Sequence, residues 1–278
     1  MSFGRKHYTT FAAFTVLVLT ACDPKEEPTP EPEQPGVQQV GDTVITTESG
    51  KLISFNRATP KTLVGTATMT GLPAGDPLVG IDYRPSDSQL YGLTKAGKLF
   101  TLKPETGVAT LKSTLTAVSG DDDPYTSLGG GTFGVDFNPV ADRLRVVSSS
   151  GLNLRINVDT GATTTDTKIT GSTAGVSAAA YTNSVAGATS TQLYVLDNDS
   201  NVYLQDPPNN GTLTKVGSVV RDVSSGNGYD IDGRTGIGYF VVGGSPYLWT
   251  LEPGKTPIAR EVSAIGDLSE PVTGMALR

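Results

Sequence analysis

The sequence predicts an all-β chain folded as a β-propeller of five four-stranded blades, one of them closed by both chain ends. Three observations carry this. First, five segments share an outline: VGIDYRP from Val79, FGVDFNP from Phe133, SAAAYTN from Ser177, NGYDIDG from Asn227 and VTGMALR from Val272. Their matching small residues, Gly80, Gly134, Ala178, Gly228 and Gly274, lie 54, 44, 50 and 46 residues apart. A repeat of about 40–50 residues carrying four short strands is the period of a propeller blade. Second, the first four copies are each followed by another apolar strand (QLYGLT, RLRVVSS, QLYVLD, GYFVVG), a tight turn and a third strand (KLFTLKPETG, NLRINVDTG, NVYLQDPPNNG, YLWTLEPGK). Third, the last copy stops after one strand, whereas Thr43–Met69 supplies three strands and no opening one: TVITTES, GKLISFN and TLVGTATM. Pairing Val272–Arg278 with Thr43–Met69 closes the ring and removes two open sheet edges, which are aggregation liabilities. An open β-sandwich with Greek-key links also spaces strands by about 8–12 residues. The regular repeat and the complementary ends favour the propeller, and Thr, Val, Gly and turn pairs leave little helix-forming sequence.

From the start of the chain, residues 1–22 read as an export signal. Arg5, Lys6 and His7 precede the apolar run Phe11–Thr20, which is too short to span a bilayer. Leu19-Thr20-Ala21-Cys22 resembles the lipobox of bacterial lipoproteins. That resemblance implies cleavage before Cys22 and lipid on its thiol, and several acyl chains on one residue give stable anchoring at about 0.8 kcal/mol per buried CH2. An ordinary signal peptide with a chance cysteine is the plainer alternative. Residues 23–41, DPKEEPTPEPEQPGVQQVG, hold five prolines and several acids and lack the apolar residues of a core. They read as a tether reaching up to about 3 Å per residue. Residues 42–278 then form one propeller domain, long enough to bury a core without disulfides.

Composition excludes several chemistries. His7 is the only histidine and Cys22 the only cysteine. Once the signal is removed and Cys22 lipidated, the Ser-His-Asp and Cys-His nucleophilic arrangements are absent. Zinc and copper sites, which need His or Cys, go with them. Carboxylate, Lys, Arg and Tyr chemistry remains, as does a hard cation held through oxygen, Ca2+ being the candidate. Without Arg5 and Lys6 the chain carries 19 basic and 28 acidic residues, a net charge of −9. Such a surface repels nucleic acid.

Three groups of residues stand out. Asp82, Asp136 and Asp230 share one position in three opening strands, with Ala180 and Ala276 in the others. Opening strands line a propeller's axis, so these carboxylates are expected to converge there, either as a Ca2+ or polar-ligand site or as acceptors for a neighbouring blade's turn. Asp197-Asn198-Asp199-Ser200-Asn201 begins like a calcium loop but has Val202 and Pro208 where an EF-hand needs Gly and Glu, so a two-residue hairpin turn at Asn198-Asp199 explains it. Asp121–Asp123 sits in a Gly/Ser-rich loop that reads as solvated, with cation binding as the alternative. The second blade departs from its siblings by placing Arg145, Arg155 and Asn157 where others place mostly apolar bulk. Arg145 and Arg155 fall opposite each other across the Ser149–Gly151 turn, and opposed like charges destabilise a sheet. A negative group is therefore expected beside them: an internal carboxylate (Asp136, Asp142, Asp159 or an acid of the adjoining blade), or the anionic group of a ligand, with Asn157 adding a hydrogen bond.

NPVADRLRVVSSSGLNLRINVDTG, within 133–161, resembles the signature of a bacterial family known as domain of unknown function 4394, and the likeness runs from about Thr43 to the C-terminal end. The resemblance implies a secreted, repeat-built β domain and brings no catalytic residue. The expected function is a lipid-anchored binding or scaffold module of the bacterial cell envelope, monomeric, recognising a protein or glycan on a ring face. The alternative is a carboxylate-based or Ca2+-assisted hydrolase or lyase acting on a glycan or lactone, which needs two carboxyls about 5–10 Å apart in distinct environments.

Overall fold

The structure, a computed structural model, describes residues 38–219, 228–242, 247–253 and 259–278, besides residues 1 and 4. Cys22, the signal and the tether as far as residue 37 lie outside the described residues. Among the described residues the only helical element is a 3-10 turn at Pro208–Asn210, and no helix is long and apolar enough to cross a membrane.

Five sheets form the ring. In the composite blade Val272–Leu277 pairs with Thr43–Thr47, followed by Lys51–Phe55 and Leu63–Thr68, so strands from both ends share one sheet. The first blade runs Leu78–Tyr83, Leu90–Thr94, Lys98–Lys103, Val108–Thr114. The second runs Phe133–Asn138, Arg143–Ser148, Asn153–Ile156, Ala162–Thr165. The third is Val176–Tyr181, Leu193–Asp197, Asn201–Gln205, Leu213–Ser218, and the fourth Gly228–Ile231, Gly238–Val241, Tyr247–Leu251, Arg260–Ala264. The first strand of each blade packs against its counterparts in the two neighbouring blades, which closes the circle.

The second blade has a fifth strand, absent from the sequence expectation. Thr116–Ala117, on the way out of the first blade, pairs in parallel with Ala162–Thr165. Isolated parallel bridges Thr70–Val108 and Thr170–Thr212 repeat the device at the first and third blades. In each case the incoming connection covers the next blade's outer edge, the part of a sheet most open to unwanted pairing. Gly107, Gly161 and Gly211 make this approach feasible. All three have positive φ, and a Cβ there would meet the carbonyl oxygen of Thr68, Thr114 or Thr167 at 2.1, 2.0 or 2.3 Å.

The core lies between blades. Among the described residues, one buried cluster fills each junction: Tyr91, Leu93 and Leu99 against Phe137, Leu144 and Val146 join the first and second blades, and Val147 against Val176, Tyr181 and Val195 joins the second and third. Corresponding clusters join third to fourth, fourth to composite and composite to first. Strands are therefore buried on both faces, which is why many read as continuous apolar runs. Gln38–Gly41, grouped with the tether by composition, lies against the composite blade: Gln38 Oε1 accepts Thr66 N–H at 2.8 Å and Gly41 N–H donates to Ser54 Oγ at 2.6 Å.

Candidate functional site

The repeated Gly and Asp of the opening strands describe one packing rule around the axis. A Cβ on Gly80 would strike Val135 at 2.5 Å, on Gly134 the Ala179 nitrogen at 2.5 Å, on Gly228 Met275 at 2.4 Å, and on Gly274 Ile81 at 3.2 Å. Each of these four glycines faces the position just after its counterpart in the next blade. Two residues on, the same stagger recurs as hydrogen bonds. Asp82 Oδ2 accepts Phe137 N–H at 2.7 Å, Asp136 Oδ1 accepts Tyr181 N–H at 2.9 Å and Asp230 Oδ2 accepts Leu277 N–H at 2.7 Å. Ala180 and Ala276 have no carboxylate to offer. The N–H groups left at those two junctions, Ile231 and Tyr83, are held by Asp230 Oδ1 at 2.6 Å and Asp82 Oδ1 at 2.7 Å. Three carboxylates thus serve one inward N–H from each of five blades, as buried backbone donors require.

These carboxylates converge as the sequence predicts: all three are buried, and one oxygen from each lies within 4.8 Å of the others. Burial, reinforced by mutual repulsion, pushes the Asp82 and Asp136 carboxyls well above their usual range, and burial pushes Asp230 up to about 7. All three move the same way, with burial the largest cause in each. Five of the six oxygens already accept an N–H. A Ca2+ ion, which takes six to eight oxygens, would have to share ligands committed to holding the ring.

The Arg145 and Arg155 pair is opposed across the strands as expected, and the negative group beside it is Asp166. Asp166 Oδ2 accepts from Arg145 Nη1 at 2.6 Å and from Arg155 Nε at 2.7 Å, while Oδ1 accepts from Arg155 Nη2 at 2.9 Å. A protein carboxylate therefore fills the place of the expected anion, and the ligand reading of this pair falls. None of the carboxylates named from the sequence does it. Asp136 faces Arg145 in register but turns to Tyr181 N–H; Asp142 and Asp159 go to Arg84 of the first blade. Asn157 is also not at the pair: its Oδ1 accepts Asp159 N–H within the turn before Gly161. Arg145, 2% exposed, also reaches Asn153 Oδ1 at 2.8 Å, Tyr181 Oη at 3.2 Å and Asn209 Oδ1 of the third blade at 2.7 Å. It is a strut between blades.

The acidic loops are also engaged. Asp197 accepts from Asp199 N, Asn201 N, Tyr203 Oη and Ser172 Oγ. Burial raises its carboxyl, but these bonds outweigh burial and hold it below the usual range. The link after it is three residues long rather than two, with Ser200 at φ +63° where sibling blades have Gly50, Gly97 and Gly151. Asp121 caps its own loop and accepts Thr165 N–H at 2.8 Å.

What the repeat alignment did not reveal is a cavity of about 280 Å3 at the axis mouth, where the opening strands end. Its lining includes Arg84, Ser88, Ser184, Asp230, Asp232, Arg234 and Arg278, with Pro85, Val185, Ile231 and Leu277 as an apolar portion. Two of its charged groups are spoken for. Arg84 forms a bidentate pair with Asp142 at 2.8 and 2.6 Å and also binds Asp159 and Asp87. Asp232 accepts from Arg57 of the composite blade at 2.6 Å and caps its own turn through Arg234 N–H and Thr235 N–H. Burial pushes the Asp232 carboxyl up, yet these donors hold it at about 2. Arg234, with its side chain 74% exposed, comes no nearer than 4.0 Å to Asp232. Arg278 forms no ion pair among the described residues.

Fold and site together define a β-propeller of five blades with a carboxylate-latched axis under a polar cup. The chain belongs to the family described as a domain of unknown function, DUF4394, whose model matches residues 51–276. No curated protein matches the sequence. Among solved structures, a chain of the nidogen/laminin complex is similar at a TM-score of 0.50 and 10% identity, covering 84% of this chain and 97% of that one. A Bacteroides thetaiotaomicron protein of unknown function is similar at 0.49 and 17% identity, covering 85% of this chain; the match spans 60% of that protein's chain. At 10% identity the likeness to the nidogen/laminin chain concerns the fold alone.

Proposed function

We propose that this protein is a binding module tethered by lipid at Cys22 to the bacterial cell envelope, and that it takes its ligand in the axial cup. The observation that carries the reading is the cup itself: a concave site at the ring face to which four blades contribute, where charged and hydroxyl-bearing residues stand beside an apolar wall, and concave sites of this kind are where ligands bind. The tether and the Leu19–Cys22 lipobox resemblance supply the address, and the negative net charge favours partners other than nucleic acid. The axial carboxylates, tied to backbone N–H groups, hold the blades in register beneath the cup.

The test is a glycan and small-metabolite array probed with the full chain in detergent, beside an Ala186→Trp variant. Ala186 is an exposed loop residue of the cup wall, so the bulky side chain fills the cavity without entering the core. Array signals that vanish in the variant are expected. An identical binding pattern for both proteins would remove the cup from the reading.

A further inference from the structure

Two of the cup's cations lack a close partner, and they point to a ligand class. The chain as a whole is acidic, with a net charge of −7. At the cup most charges are paired. Arg84 is matched by Asp142, Asp159 and Asp87, and Asp232 by Arg57. Asp230 gives both its oxygens to backbone N–H groups. That leaves two guanidinium groups, Arg234 and Arg278, at the rim. The nearest carboxylate to Arg234 is Asp232, 4.0 Å away and already held by Arg57 at 2.6 Å. Two planar forks without a close partner, beside a concave surface, match a carboxylate, which arginine binds in bidentate fashion.

The other walls restrict the ligand's body. Ser88 and Ser184 stand in the lining beside the apolar residues Pro85, Val185 and Ala186. At about 280 Å3 the cavity falls just below the usual run of ligand sites, about 300–1,000 Å3, which restricts it to a small ligand. A single ring with hydroxyls on its edge and C–H groups on its face fits both surfaces. Resting on the reading of the cup as the binding site, we propose that the ligand is a uronic acid residue, its carboxylate bound by Arg234 and Arg278 and its hydroxyls by Ser88 and Ser184.

Calorimetric titration of the full chain in detergent with D-glucuronate and D-galacturonate, against D-glucose and D-galactose, tests this. At least one uronate is expected to bind and the neutral sugars not to bind. Arg234→Gln should weaken uronate binding about tenfold or more, and Arg278→Gln similarly, each with an unchanged melting temperature because both side chains are exposed. Uronate affinity should also fall as salt is raised, since the contacts are charged and near solvent. Equal binding of neutral and acidic sugars, blocked by Ala186→Trp, would keep the cup as the binding site and overturn the uronate assignment. Uronate binding that survives both Ala186→Trp and Arg234→Gln would overturn the cup and the assignment together, and failure of both uronates to bind would overturn the assignment.

Discussion

Asp82 Oδ2 accepts the Phe137 N–H at 2.7 Å across the boundary between the first and second blades. The bond is one of three that join a carboxylate of one blade to the backbone of the next, and it takes the N–H just after Asp136, the carboxylate that makes the next such bond. Geometry and charge oppose each other here. The backbone needs acceptors at the axis, and supplying them brings three buried carboxylates together.

That opposition predicts a pH dependence. A carboxyl whose folded pKa is raised contributes stability fully present below its unfolded value of about 3.9 and lost as pH rises through the folded value. For Asp230, at about 7, the loss falls between about pH 4 and pH 7 and amounts to a few kcal/mol, at about 1.4 kcal/mol per unit. Asp159 and Asp232 act oppositely. Held at about 2, they contribute stability present above the unfolded value and lost as pH falls from about 4 through 2. Melting temperature should therefore peak near pH 4, where the two losses meet, and decline toward pH 8. Asp136→Asn retains the Oδ1 acceptor for Tyr181 N–H and removes one of the three charges, so it should flatten the decline above pH 4. Asp136→Ala strands that N–H and should cost about 1–3 kcal/mol at every pH. A wild-type melting temperature that rises from pH 5 to pH 8 would contradict the account.

The axial glycines are steric requirements. Gly134→Ala places a Cβ 2.5 Å from the Ala179 nitrogen, which is backbone of the adjoining blade and has no rotamer to adopt. It should destabilise by about 1–3 kcal/mol or more, read as a drop of several degrees in melting temperature. Gly130→Ala, with nothing within 4 Å, is the control and should stay within about 0.5 kcal/mol. Equal effects at the two positions would refute the packing rule.

The ring, its five units and its closure were readable from the sequence because each strand repeats at nearly constant spacing. The Gly and Asp columns were readable for the same reason, although their purpose was not. The alignment places Asp82, Asp136 and Asp230 at equivalent positions, and only the stagger between blades reveals that each reaches the following residue of its neighbour. Asp166 was missed because it follows the last strand of its blade, outside the aligned columns, and Asn209 because it comes from another blade. Asn157 was misplaced because alternation along the third strand continues past Ile156 in the sequence, whereas the strand ends there. The cup escaped notice because most of its lining comes from loops beyond the strand ends, which carry no period.

Lipid attachment at Cys22 predicts that Cys22→Ser moves the protein from the membrane fraction to the soluble fraction on cell disruption. The motif Leu19-Thr20-Ala21-Cys22 motivates it, and the fractionation of the two forms by immunoblot measures it. A variant that stays with the membrane would argue against the anchor.

Closure by the chain ends has its own test. Val272–Leu277 pairs along Thr43–Thr47 and also supplies the Leu277 N–H held by Asp230. Deleting Val272–Arg278 exposes the inner edge of Thr43–Thr47, opens the buried Ile45, Val272 and Met275 cluster and leaves an Asp230 oxygen without its donor. The shortened chain should melt far below the intact one or aggregate, as an open edge promotes. Equal melting curves would disprove closure.

The last prediction concerns how unequal partners share one carboxylate. Asp166 binds Arg145 and Arg155 together, but the two guanidiniums differ in their access to water: the Arg145 side chain is 2% exposed and that of Arg155 37%. Removing one member of a buried ion pair costs about 3–5 kcal/mol, because the remaining charge is stranded, whereas an exposed pair contributes about 0–1 kcal/mol. Asp166→Asn should therefore be severe, since Arg145 keeps Asn153, Asn209 and Tyr181 but loses its only counter-charge. Arg155→Leu should cost under about 1 kcal/mol, and it also removes the repulsion across the strand pair. The double-mutant cycle between Asp166→Asn and Arg145→Met isolates the stranded charge. If desolvation dominates, the double variant is more stable than Asp166→Asn alone, because an apolar side chain of similar length replaces a buried unpaired cation. Urea denaturation of the four proteins measures all terms. A double variant less stable than either single one would show that Arg145 acts mainly through its neutral partners, and the strut would then be a hydrogen-bond network rather than an ion pair.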